Sequence, residues 1–144
     1  MGELILIPVD GLPAAWRAVD YACDQFGDAT LTLLYVMNPM IDYHRRQAFP
    51  GYTRDDEFKN EREKAEHVLE SILDSIPDGM SVKSEIEAGN PARSIIQYAD
   101  ANDVDHIVIG SHGKQGVARY LLGSVAETVV RRSEVPVTVV RPSE

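Results

Sequence analysis

Five short apolar stretches alternate along this chain with longer stretches in which apolar residues recur every three or four positions. Leu4-Ile-Leu-Ile-Pro-Val9 is nearly continuous, as expected of a strand buried on both faces of a parallel sheet. Leu31 to Val36 and Val104 to Ile109 repeat that pattern, and Val135-Pro-Val-Thr-Val-Val140 closes the chain with β-branched residues. Val82 to Ala88 alternates apolar with polar positions instead, which predicts a strand with one exposed side at a sheet edge. Between these runs the period changes to 3.6. Ala15, Trp16, Val19, Ala22, Cys23 and Phe26 mark a helix that begins near Pro13 and stops at Gly27. Asp55 to Ile76 is a second helix, with Phe58, Arg62, Ala65, Leu69, Ile72 and Ile76 on one face and charges on the other. Asn90-Pro91 opens a third, with Asn90 as cap and Ile95, Ile96 and Ala99 facing inward. Val125 to about Arg132 is the fourth.

Strand and helix therefore alternate from end to end. Strand-helix-strand units join parallel strands by right-handed crossovers, so the pattern predicts one α/β domain, a parallel sheet with helices on both faces. Only Met37 to Thr53 lacks a period; it reads as a long loop holding Pro39, Pro50 and the pair Arg45-Arg46, either a functional lid or a solvated surface loop.

Composition narrows the class. A chain of 144 residues, 44% hydrophobic and 26% charged, is long enough to bury its own core. The net charge of −9, from 23 acidic and 14 basic residues, argues against non-specific nucleic-acid binding and against an anionic membrane surface. No apolar run has the length of a membrane span, and the first residues lack a secretory signal, so a cytoplasmic protein is expected. The single cysteine, Cys23, cannot form an internal disulfide and reads as a small core residue. His44, His67, His106 and His112 show no ligand spacing, so no metal site is expected.

Two places carry candidate chemistry. Asp10-Gly11 ends the first strand, where open α/β sheets bind ligands; the alternative is that Asp10 caps the following helix. The second place begins at Gly110, continues through Gly113 and Gly123, and ends at Ser124 before a helix. Glycines let the backbone approach a phosphate, and a helix N-terminus offers free N–H groups to an anion. The same glycines would equally serve as turns. Two familiar phosphate motifs fail: Gly113-Lys114 is followed by Gln115 rather than Ser or Thr, and Gly110 and Gly113 do not have dinucleotide-fingerprint spacing.

Taken together, Leu4 to Gly11, Glu87-Ala-Gly-Asn-Pro91, the Gly110-Ser-His-Gly113 segment with Gly123-Ser124-Val125, and the closing Val135 to Val140 resemble the universal stress protein family. The resemblance spans nearly the whole chain and points to that family's ATP-binding branch. It implies a single domain over residues 1–144, of the adenine nucleotide α-hydrolase-like kind, with strand order 3-2-1-4-5 in a five-stranded doubly wound sheet. It also implies an adenine nucleotide as ligand: ATP, alone or with magnesium. Pro8, Val9 and Val36 would frame the adenine. Asp10 would accept hydrogen bonds from the ribose. Gly110, His112, Gly113, Gly123, Ser124 and Val125 would surround the phosphates. Ser124 would double as the N-cap of the last helix. Leu12 departs from the family, which often has a small hydroxyl residue there; the departure bears on the capping of the first helix more than on the nucleotide site.

No catalytic residue is assigned. Ser111 and Ser124 lack a nucleophile elbow, and His112 has no paired acid or base nearby in sequence. The expected function is a nucleotide-dependent switch or binding module in the stress response. The alternatives are a slow ATPase and a homodimeric interaction protein that binds no nucleotide. A homodimer through the edge strand Val135 to Val140 is expected on the same resemblance.

Overall fold

A computed structural model describes residues 2–38, 54–111 and 122–142, with no side chain described for residues 54–57. In chain order the elements are β1 (Leu4–Val9), α1 (Pro13–Gln25), β2 (Thr30–Met37), α2 (Arg54–Ser75), β3 (Ser81–Ala88), α3 (Pro91–Ala101), β4 (His106–Gly110), α4 (Ser124–Arg132) and β5 (Val137–Val140). The strands form one parallel sheet in the order β3-β2-β1-β4-β5. This is the α/β architecture and the strand order expected from the sequence.

Each face of the sheet has its own core. Ile5, Ile7 and Val9 of β1, with Leu31, Leu33 and Tyr35 of β2, pack against Ala15, Ala18, Val19 and Ala22 of α1 and Ala65, Leu69 and Ile72 of α2. Leu6 and Leu34 point the other way, toward Ala92, Ile95 and Ala99 of α3 and Ala126 and Val129 of α4. The continuous apolar runs follow from this: a central strand covered on both sides has no polar position to spare. Edge strand β3 is exposed at most positions, as its alternation predicts. Trp16 and Cys23 pack against the first core from α1, half-buried. Burial and the neighbouring charges of Asp20 and Asp24 push the Cys23 thiol upward, away from a reactive thiolate.

Several element ends depart from the sequence expectation. β4 begins at His106 rather than Val104, because the Val104 N–H is taken by Ala99 O in the turn after α3 and Asp103 adopts a positive φ of 52°. β5 begins at Val137 rather than Val135; Val135 lies in a turn in which its N–H and C=O both bond the Ser133 hydroxyl. Phe58, expected on the inner face of α2, is 53% exposed, two turns before Ala65, the first buried position among the described side chains of that helix. Asn90 does cap α3, accepting from Arg93 N–H at 3.0 Å.

Candidate functional site

The centre of the sheet is where the chain reverses its winding, and the strands part there. β1 pairs with β2 along its whole length, from Leu4↔Thr30 to Val9↔Tyr35. With β4 it pairs only at Ile5↔His106 and Leu6↔Ile107. Pro8 supplies a reason. Glu3 C=O accepts from Thr30 N–H on the β2 side, while Leu4 C=O accepts from Asp105 N–H on the β4 side. Backbone groups alternate along a strand, so the groups of Leu6 and Pro8 also face β4. Proline has no N–H, and the missing donor falls on the side where the ladder stops. Carried past that point, the register sets Asp10 level with Ser111 on one side and Val36 on the other.

Around this opening the expected residues gather from distant parts of the sequence. Val9 is buried beneath α1 and α2, and its backbone groups face β2, where it pairs with Tyr35. Pro8 and Val36 are half-buried. Val36 packs with Leu6 and Leu34 on the α3–α4 side of the sheet, and alternation along β1 turns Pro8 to the same side. The N-terminus of α4 opens on that side as well.

A single backbone bond fixes the helix there. Gly123 N–H donates to Ser111 C=O at 2.6 Å, while Ser111 N–H donates to Val140 C=O at 2.8 Å. The end of β4 and the start of α4 are thereby held together although eleven residues lie between Ser111 and Gly123 in sequence. Gly123 is the N-cap, with φ −66° and ψ 159°, and no side chain caps the helix. Ser124 is the first helical residue, which corrects the expectation that it would be the cap. Its N–H and those of the next two residues form the uncapped first turn, where the helix dipole favours an anion. His112 and Gly113 lie outside the described residues.

Gly110 has a packing reason of its own. A Cβ built there would stand 2.7 Å from the Ala14 backbone carbon and 2.9 Å from its carbonyl oxygen. The end of β4 thus lies directly against the first turn of α1, closer than any side chain permits.

Asp10 does not cap α1. Its Oδ1 accepts from Leu12 N–H at 2.9 Å, closing a local turn, and the cap position of α1 falls to Leu12 with no side-chain bond. Gly11 follows with φ +82°, and a Cβ on it would meet Val68 of α2 at 3.0 Å. Burial raises the Asp10 carboxyl above the ordinary carboxylate range; the Leu12 and Asp10 N–H groups and the charge of Lys64 pull it back in part. A raised carboxyl makes the folded state less stable as pH rises through the folded-state pKa; Asp10 as a residue is exposed, so water limits that cost. Hydroxyl donors from a ligand would relieve that. Tyr35, next to it on β2, is also raised, by burial and then by the charges of Glu61 and Asp10. Lys64 and Glu61 carry no marker in the sequence, where the charges of α2 read as a solvated face. Only the seating of Val68 on Gly11 brings them here.

A groove of about 390 Å³ between α2 and β3, bordered by Arg62, Glu66, Glu70 and Glu85, lies at the β3 edge of the sheet, away from the parting of β1 and β4. Among the described residues no group of three or more His, Cys, Asp or Glu side chains comes together. None of the helices among them is long and apolar enough to cross a membrane.

The profile of the universal stress protein family matches residues 1–141. The chain belongs to the universal stress protein family. Among curated relatives, universal stress protein MJ0577 of Methanocaldococcus jannaschii is 40% identical over 92 residues, which span 60% of this chain and 57% of that relative. Universal stress protein MJ0531 of the same organism is 30% identical over 145 residues, 95% of this chain and 81% of the relative. The solved structure of MJ0577 superposes with a TM-score of 0.82 at 29% identity, over 100% of this chain and 99% of that one. A universal stress protein family member from Arabidopsis thaliana, solved with AMP bound, has the same fold at a TM-score of 0.68 and 18% identity, over 98% of this chain and 92% of that one.

Proposed function

We propose that this universal stress protein binds ATP in the opening between β1 and β4 and acts as a nucleotide-dependent switch or binding module. The observation that carries the reading is the Gly123–Ser111 bond, which sets an uncapped helix N-terminus across the opening from Asp10. Pro8 and Val36 border the adenine, with Val9 in the strand between them. Asp10 accepts from the ribose hydroxyls. Gly123, Ser124 and Val125 meet the phosphates through backbone N–H groups, and Ser124 adds a hydroxyl. Gly110, His112 and Gly113 complete the phosphate side of the site. Backbone donors of this kind hold phosphate without a lysine. Magnesium, bound with ATP, would be held through the phosphate oxygens. The AMP carried by the Arabidopsis relative supports the ligand class.

Calorimetric titration with ATP tests the reading: one site per chain is expected to saturate below millimolar nucleotide. No heat at millimolar ATP, from protein that is folded by circular dichroism, would overturn it.

The same proposal includes a cytoplasmic homodimer. β5 pairs only with β4, and the bonds Ile107 N–H to Pro136 C=O and Ser111 N–H to Val140 C=O turn the even-numbered residues of β5 inward. The backbone groups of Val137 and Val139 therefore face the open edge, where a second copy can add its own strand. Light scattering at micromolar concentration should report twice the chain mass; a single-chain mass would refute the dimer.

A further inference from the structure

We propose that Lys64 of α2 is a positioning residue of the nucleotide site, its charge acting across the carboxyl end of β1 to keep Asp10 the carboxylate that receives the ribose. The inference rests on the nucleotide reading above. Its geometry begins at Gly11. There the backbone lies so close to Val68 that an added Cβ would be 3.0 Å from the valine methyl. Lys64 precedes Val68 by one helical turn on the same face, so it is carried over the residue before Gly11. Ala65, Leu69 and Ile72 are buried in the core on that side of α2 and fix the helix's rotation. Lys64, exposed one turn before Val68, is therefore carried on the side of α2 that meets the carboxyl end of β1 at Gly11.

The groups around Asp10 make this placement consequential. From β2, Tyr35 offers a hydroxyl that burial keeps protonated. From α2 come Glu61, whose charge acts on Tyr35, and Lys64. The first turn of α1 contributes no acidic residue. Lys64 is thus the cationic charge acting on Asp10 among the described residues. Desolvation favours the protonated carboxyl, which can donate to a ribose but no longer accepts from both hydroxyls. A nearby cation opposes that and preserves an acceptor-only carboxylate.

The test uses Lys64→Met and Lys64→Arg in the full chain, with two readouts. The first is the titration of the Asp10 side-chain carbon by NMR in the nucleotide-free protein. Lys64→Met should move its midpoint upward, and Lys64→Arg should restore it. The second is affinity for adenosine, which has the ribose but no phosphate. At a pH between the two measured Asp10 midpoints, Lys64→Met should weaken it about two- to fivefold, the range of an exposed charge pair. At a pH above both midpoints the two should agree. Each variant is compared with the parent at the same pH, so the ligand's own titration cancels. An unmoved Asp10 midpoint, or equal weakening at both pH values, overturns the inference while leaving nucleotide binding intact. Failure of the parent protein to bind adenosine or ATP overturns the nucleotide reading and the inference with it.

Discussion

Gly110→Val is expected to lower the stability of the folded chain by about 2–3 kcal/mol, the upper part of the usual range for overpacking. The obstacle is backbone. The atoms nearest a built Cβ are the Ala14 carbonyl carbon, Cβ and carbonyl oxygen, at 2.7, 2.8 and 2.9 Å. None of them is the free end of a flexible side chain, so the first turn of α1 or the end of β4 must move. Either shift disturbs the opening, since Asp10 is tied to Leu12 at the start of α1 and Ser111 is tied to Gly123. Gly110→Ala should show the same effect at smaller size. Gly27→Ala is the control: its nearest contact would be 3.9 Å, and little change is expected. Urea denaturation midpoints of the three variants check the order. A Gly110→Val protein as stable as its parent would mean that β4 does not lie against α1.

Asp10→Ala should weaken ATP binding about ten- to a hundredfold, the worth of hydrogen bonds to a charged acceptor. Stability should change by less than about 1 kcal/mol, because two effects oppose each other. The variant loses the bond from Leu12 N–H, but it also loses a carboxylate that burial disfavours at neutral pH. Calorimetry of the variant beside its denaturation curve separates the two quantities. Loss of affinity matched by loss of folding would count against a ribose contact. Asp10→Asn should fall between the parent and Asp10→Ala, since its amide keeps one acceptor for the Leu12 turn and one donor for a hydroxyl.

Much of the architecture was legible because burial on both faces leaves so plain a trace. The continuous run Leu4 to Val9 marked β1 to the residue, and the alternation of Val82 to Ala88 marked an edge strand. Apolar runs say less about their own ends. Val104 and Val135 look like strand residues, yet their backbone groups are engaged in turns. Pattern likewise could not choose between Gly123 and Ser124 as helix cap, because the choice depends on which residue takes extended dihedrals.

The candidate site was readable only in part, for a related reason. Asp10, Gly110, Gly123 and Ser124 carry residue types that suggest a ligand. What makes them one site is pairing that stops at Leu6 and a backbone bond from Gly123 to Ser111, neither of which depends on side-chain identity. Pro8 is visible in the sequence as a residue without an N–H, but the side of β1 on which that donor is missing follows only from the alternation fixed by Glu3 and Leu4. Lys64 left no trace at all, being one charge among many on α2.

The most direct measurement is an amide chemical-shift map of the labelled protein titrated with ATP. Saturable shifts should centre on Val9, Asp10, Gly110, Ser111, Gly123, Ser124 and Val125, while Ser84, Glu85 and Ile86 beside the distant groove stay still. Shifts centred on that groove, or none at millimolar ATP, would contradict the nucleotide site at the parting of β1 and β4.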